Sequence, residues 1–126
     1  MRKILLVENE PFLSEIYAKK LRERGYEIFQ SADDKSGWNH FQKLSPHLVV
    51  LNIAPPQIDG LRMLRRIRAQ KSILQASVPV VLLSDEGDSA HIEMAMLHGA
   101  NEYMAKKEHS PEQIIKKILK LLETSY

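Results

Sequence analysis

The chain has 126 residues, 44% hydrophobic and 27% charged, with a formal net charge of +2. That is the size of one domain around one core, and its charge demands no polyanionic partner. With no cysteine, disulfides, thiol chemistry and cysteine metal ligands are excluded.

Residues 3–7 (KILLV) form an apolar run without alternation, the pattern of a strand buried on both faces. The run is too short for a signal-peptide core, and nothing in the chain approaches the roughly 18 apolar residues of a membrane span. Residues 11–24 predict a helix. Leu13, Ile16, Tyr17 and Leu21 recur at helical spacing, Asn9 or Glu10 is placed as cap, Pro11 suits the first turn, and Gly25 stops it. Residues 26–30 predict the second strand. Asp33, Asp34 and Ser36 offer caps for a helix to about Leu44, with Trp38 and Phe41 inward, and Ser45-Pro46-His47 breaks it.

Residues 48–52 (LVVLN) form the third strand, followed by Pro55-Pro56 and Asp59-Gly60. Residues 61–69 predict a helix with Leu61, Leu64 and Ile67 on its apolar stripe. Residues 78–84 (VPVVLLS) are the fourth strand, DEGDSA a loop ending in a cap, and residues 90–98 a helix ended by Gly99. Residues 102–105 (EYMA) are a short fifth strand. Ser110, Pro111 and Gln113 make a capping box with proline at the first helical position. The last helix turns Ile114, Ile115, Ile118, Leu121 and Leu122 inward.

Five strands alternating with five helices imply an α/β domain over 1–126, with a parallel sheet covered on both faces. Such sheets gather functional groups outside the carboxyl ends of their strands. Those positions carry Glu8 and Asn9 after the first strand, Asn52 at the third, Ser84 at the fourth and Lys106 after the fifth. The five histidines (His40, His47, His91, His98 and His109) show no compact ligand spacing.

KILLVENEPF, PHLVVLNIAPPQIDG, VPVVLLS and GANEYMAKKEHSPEQI together resemble the receiver domain of bacterial two-component response regulators, of the single-domain chemotaxis type. The likeness spans nearly the whole chain. It implies a flavodoxin-like sheet of order 2-1-3-4-5, a cytoplasmic location, and a protein partner such as a histidine kinase or downstream regulator. In that family an aspartate at the end of the third strand takes a phosphoryl group from a phosphohistidine. Magnesium held by that aspartate, an acidic residue after the first strand and a backbone carbonyl neutralises the moving phosphoryl group. A lysine after strand five and a hydroxyl after strand four hold the phosphate.

By this resemblance Lys106 and Ser84 keep the lysine and the hydroxyl, Tyr103 keeps the aromatic switch and interface position, and Glu8 keeps one acidic residue. Asn52 stands in the acceptor position and Asn9 in place of the second acidic residue. A carboxamide is a poor nucleophile, and three carboxylates fall to one, so magnesium binding at Glu8, Asn9 and Asn52 is expected to be weak or absent. Lys107 replaces a proline that permits a cis bond. The expected function is phosphorylation-independent protein–protein signalling by a receiver with an inactive acceptor site, monomeric or weakly dimeric.

Two alternatives stay open: a phosphorelay regulator whose acceptor aspartate was substituted by Asn52, and a nucleic-acid-binding module. For the second, Arg62, Arg65, Arg66 and Arg68 form one basic ridge and Lys116, Lys117 and Lys120 another, but the balanced charge favours solvated helix faces. Lys106 has a plainer role as the ion-pair partner of Glu8, and Ser84 as a hydrogen-bonding residue of the loop. No nucleophile–base pair suggests an enzyme.

Overall fold

The computed structural model describes residues 2–85 and 89–124. Its elements run β1 (Lys3–Val7), α1 (Pro11–Glu23), β2 (Glu27–Ser31), α2 (Asp34–Leu44), β3 (Leu48–Ile53), α3 (Gly60–Arg68), α4 (Ile73–Ala76), β4 (Val80–Ser84), α5 (Ser89–Leu97), β5 (Glu102–Ala105) and α6 (Pro111–Thr124). The strands form one parallel sheet of order β2-β1-β3-β4-β5, as the resemblance implies.

Apolar side chains on both faces of the central strands explain the layering. Ile4, Leu6, Val50 and Leu83 pack on one side against α1 and α6, through Tyr17, Leu21, Ile115 and Ile118. Leu5, Val7, Leu51 and Leu82 pack on the other, against Phe41, Leu64 and Ile67 of α2 and α3. A strand covered on both faces has no polar alternation, which is why these runs read as continuous. The same burial requires each strand to end in polar groups that find partners.

The local signals operate as written. Asp33 accepts the Ser36 N–H at 2.8 Å, and Asp59 accepts the Arg62 N–H at 3.0 Å, so both helices start on a carboxylate cap. Ser110 and Gln113 cap each other reciprocally at 2.8 and 3.2 Å. Gly25 takes φ +91° where α1 stops. At the start of α1 the N-cap is Glu10, without a side-chain cap bond.

Several expectations need correction. There are six helices among the described residues, not five. The extra one, α4, is a single turn capped by Ser72, whose Oγ accepts the Gln75 N–H at 3.4 Å. Four residues are too few to show a helical period, and tertiary contacts hold the turn in place. The second strand lies one residue later than expected, the third includes Ile53, and the fourth starts at Val80 because Val78 and Pro79 lead into it. Helix α5 begins and ends one residue early, and the expected loop and cap at Glu86, Gly87 and Asp88 lie outside the described residues. Leu121 and Trp38 face the core as expected but are only half-buried against it, Trp38 stacked on Phe41 at 5.3 Å between centroids. The one cis peptide among the described residues is Pro55–Pro56, so the Lys106–Lys107 bond is trans.

Candidate functional site

The parallel sheet brings Glu8, Asn9, Asn52, Ser84 and Lys106 to one edge, as their strand-end positions require. Among the described residues the buried polar residues are Glu8, Ser14, Ser31, Asn52 and Ser84, four of them within one residue of a strand's carboxyl end. Asn52 is one residue short of the end of β3 and registers with Leu83, which sets it beside Ser84.

Glu8 is the centre of the cleft. Its Oε1 accepts Lys106 Nζ at 3.0 Å, and its Oε2 accepts Asn52 Nδ2 at 3.0 Å and the Glu10 N–H at 3.1 Å. The Glu8 side chain is 0% exposed and that of Lys106 6%, so the expected ion pair forms and is buried. Lys106 Nζ also lies 3.8 Å from the exposed carboxylate of Asp85, and its backbone N–H donates to the Ser84 carbonyl at 2.7 Å.

The amide nitrogen of Asn52 donates a second time, to Asn9 Oδ1 at 2.7 Å. Both groups facing it are acceptors, so chemistry fixes the amide's orientation. Its Oδ1 is buried and has no hydrogen-bond partner among the described residues. An aspartate here would hold a second carboxylate about 3 Å from that of Glu8. Like charges at that distance need a cation or a proton between them, and the amide replaces repulsion with a donated hydrogen bond.

These residues do not fit a divalent cation as they stand. Both oxygens of the single carboxylate are engaged by donors, and Asn9 Oδ1 is engaged by Asn52. Among the described residues no group of three His, Asp or Glu side chains is arranged to hold a metal. Magnesium would have to displace the Lys106 ammonium for one carboxylate, a poor exchange for an ion that sheds water reluctantly.

Tyr103, on β5, is buried at 9% exposure among Leu82, Ile67 and Ala100. Tyr17 lies beneath the cleft on α1. Burial, then the charge of Glu8, Glu10 and Asp85, pushes its phenol from 10.0 up to about 12. The raised value favours the neutral phenol in the folded state, so the unfolded chain ionises first. Stability present below about pH 10 is therefore expected to fall as pH rises towards 12. Phenolate absorbance should show one tyrosine ionising late, and Tyr17→Phe should remove that component. Loss of this late component on Tyr26→Phe instead would refute the assignment.

Sequence reasoning missed Arg68, which it left on a solvated ridge. The side chain turns under α3 and donates to the carbonyls of Ala76, Val78 and Gly99 and to Asn101 Oδ1, at 2.7 to 3.0 Å. Arg66 lies 3.9 Å over the Trp38 ring. Only Arg62 and Arg65 remain from that ridge without these commitments. No helix among the described residues is long and apolar enough to cross a membrane.

The family model described as response regulator receiver domain matches residues 4–119. Over 98% of this chain, the sequence is 28% identical to the transcriptional regulatory protein TrcR of Mycobacterium tuberculosis, covering 46% of that protein. The chain spans about half the length of the curated relatives it matches. Among solved structures, a CheY-like response regulator receiver domain protein from Methanospirillum hungatei superposes with TM-score 0.86 at 19% identity, covering 98% of this chain and 94% of that one. The Francisella response regulator 1452 receiver domain gives 0.85 at 20%, covering 98% of each. These two likenesses concern the fold.

Proposed function

The chain belongs to the response regulator receiver domain family, and from that premise we propose that residues 1–126 are a receiver whose acceptor position is occupied by Asn52. It signals through protein contact without being phosphorylated. One observation carries the reading: Asn52 Nδ2 donates to the Glu8 carboxylate while Lys106 pairs with the same carboxylate's other oxygen. The cleft is thereby closed on itself by a neutral amide and a compensated ion pair.

Acyl-phosphate formation needs a carboxylate oxygen free to attack phosphorus. The amide of Asn52 has given its lone pair to carbonyl resonance and its N–H groups to Glu8 and Asn9. Ser84 and Lys106 keep the positions of the phosphate-holding groups, and Tyr103 that of the switch. With no phosphoryl group to shift the balance between surfaces, the domain presents one resting surface or is switched by its partner's own binding preference. The partner is a histidine kinase or a downstream regulator in the cytoplasm, met through the α5–β5–α6 face that carries Tyr103. Helix α5 itself exposes Met94, Met96 and Leu97. A nucleic-acid role loses support because Arg66 and Arg68 are committed to Trp38 and to backbone carbonyls.

Incubated with acetyl phosphate and magnesium, the unmodified chain is expected to keep its mass by intact mass spectrometry, whereas an active receiver run alongside gains a phosphoryl group. A phosphoryl adduct on any side chain of the cleft would overturn the proposal. Asn52→Asp tests the remainder of the cleft. With magnesium it should acquire a base-labile adduct if Asn52 is the missing function, and no adduct would move the defect to Asn9.

A further inference from the structure

Helix α1 turns its outer face to solvent between two flanking contacts. On one side Lys20 pairs with Glu112 of α6, and on the other Gln30 of β2 meets Ser14 and Glu15. The strip between them carries Phe12, Glu15, Ile16, Lys19, Arg22 and Glu23, which line a shallow hollow of about 530 Å³. Phe12 is 78% exposed and Ile16 half-buried, so the strip holds apolar surface in water. Phe12 is the one aromatic among the exposed large hydrophobic side chains of the described residues. The strip takes no part in the acceptor reading.

The four charges of the strip sum to zero, and their order is self-complementary. Glu15 and Lys19 stand equally far on either side of Tyr17, the midpoint of the 13-residue helix, whose own side chain is buried on the opposite face. A two-fold axis at that level, perpendicular to the helix, lays an antiparallel copy along the strip. It sets Glu15 against the partner's Lys19 and Lys19 against the partner's Glu15. Phe12 meets the stem and guanidinium of the partner's Arg22, again in both directions. Ile16 meets its own copy near the axis. The partner's Glu23 comes over the first turn of α1, which has no acidic residue and no side-chain cap. A carboxylate is favoured there by the helix dipole.

Gln30 orders two of these charges in advance. Its Nε2 donates to Glu15 Oε1 at 3.0 Å, and its Oε1 accepts Arg22 Nη2 at 3.3 Å. The same Arg22 nitrogen donates to the Ile28 carbonyl at 3.0 Å. Each contact uses one atom of the charged group, so both side chains are held in place while keeping further donors and acceptors for a partner. Side chains ordered beforehand lose less entropy on association.

We propose that this face joins two copies of the chain through an antiparallel α1–α1 contact. Two helices about 20 Å long cover less area than a standard interface, so the dimer is weak and transient. Helix α5 packs on the other side of the sheet through Ala95. The pair therefore leaves Met94, Met96 and Leu97 uncovered and presents that helix twice, which favours a partner with two sites by avidity. An anionic bilayer would meet Glu15 and Glu23 as readily as Lys19 and Arg22, so the charges of the strip do not select it.

Translational diffusion of the isotope-labelled full chain, measured by NMR, should slow between about 10 μM and 1 mM, the range of a weak dimer. The amides of Phe12, Ile16, Lys19 and Glu23 are expected to shift with concentration. Lys19→Glu and Glu15→Lys, both at exposed positions and checked for folding by circular dichroism, should each weaken self-association about tenfold or more. Each turns two attractions into two repulsions. An equimolar mixture of the two variants should restore association, since one carries bases at both positions and the other acids. Four results would overturn the proposal. They are constant diffusion up to about 1 mM, self-association that both variants retain, a mixture no stronger than either variant alone, and binding to phosphatidylcholine–phosphatidylglycerol vesicles that Phe12→Glu abolishes.

Discussion

Lys106→Met is expected to destabilise the fold by about 3 kcal/mol, the lower end of what breaking a buried ion pair costs. The substitution keeps an unbranched apolar stem, one atom shorter, and removes the ammonium. It leaves the Glu8 carboxylate, 0% exposed, with two hydrogen bonds, from Asn52 Nδ2 and the Glu10 N–H, and no cation. Those two bonds place the cost at the low end, since they still compensate part of the charge. Urea denaturation of Lys106→Met, Glu8→Gln and the double variant gives the cycle. The double variant should be less destabilised than the sum of the singles by at least about 1 kcal/mol, because it leaves no charge unpaired. Strict additivity would mean that Lys106 is held by Asp85 and solvent, and that the cleft is not closed in the way its distances suggest.

Arg68→Ala is expected to cost a similar amount, about 3 kcal/mol, by a different route. The guanidinium makes five contacts to four acceptors, all neutral. Two go to the Gly99 carbonyl, one each to Ala76 and Val78, and one to Asn101 Oδ1. Removing it leaves partly buried carbonyls without a donor at the junction of α3, α4 and the turn into β5, each such loss being worth about 1 kcal/mol. Gly99 is part of the same device. It takes φ +95°, and a Cβ there would come within 2.9 Å of Arg68 Nε. Arg68→Lys should recover less than half of the loss, since an ammonium cannot fork to three separated carbonyls. Faster hydrogen exchange at the Ala100 and Asn101 amides would accompany the loss. Unchanged exchange there together with a stability change under about 0.5 kcal/mol would show the contacts to be incidental.

How much of this was legible beforehand depends on the distance over which each instruction acts. The Asp33 and Asp59 caps, the Ser110–Gln113 box and the stop at Gly25 are written within one turn, and each appears where the residues put it. Lys106 and Glu8 were readable as a pair because strand-end positions in a parallel sheet converge. Arg68 was not readable, since its acceptors lie 8 to 33 residues further on and nothing in the α3 pattern separates it from Arg65. The short helix α4 escaped because four residues carry no period.

The sequence by itself determined the strand-and-helix alternation, the apolar faces and which polar residues close the carboxyl edge, since hydrophobic period and capping chemistry are local properties. Only the tertiary structure decided that Asn52 turns its nitrogen to Glu8, that Arg68 ties three elements together, and that a hollow floored by Phe41, Pro46 and Val78 opens at the opposite end. Each of these depends on where distant segments return, and packing of the whole chain sets that.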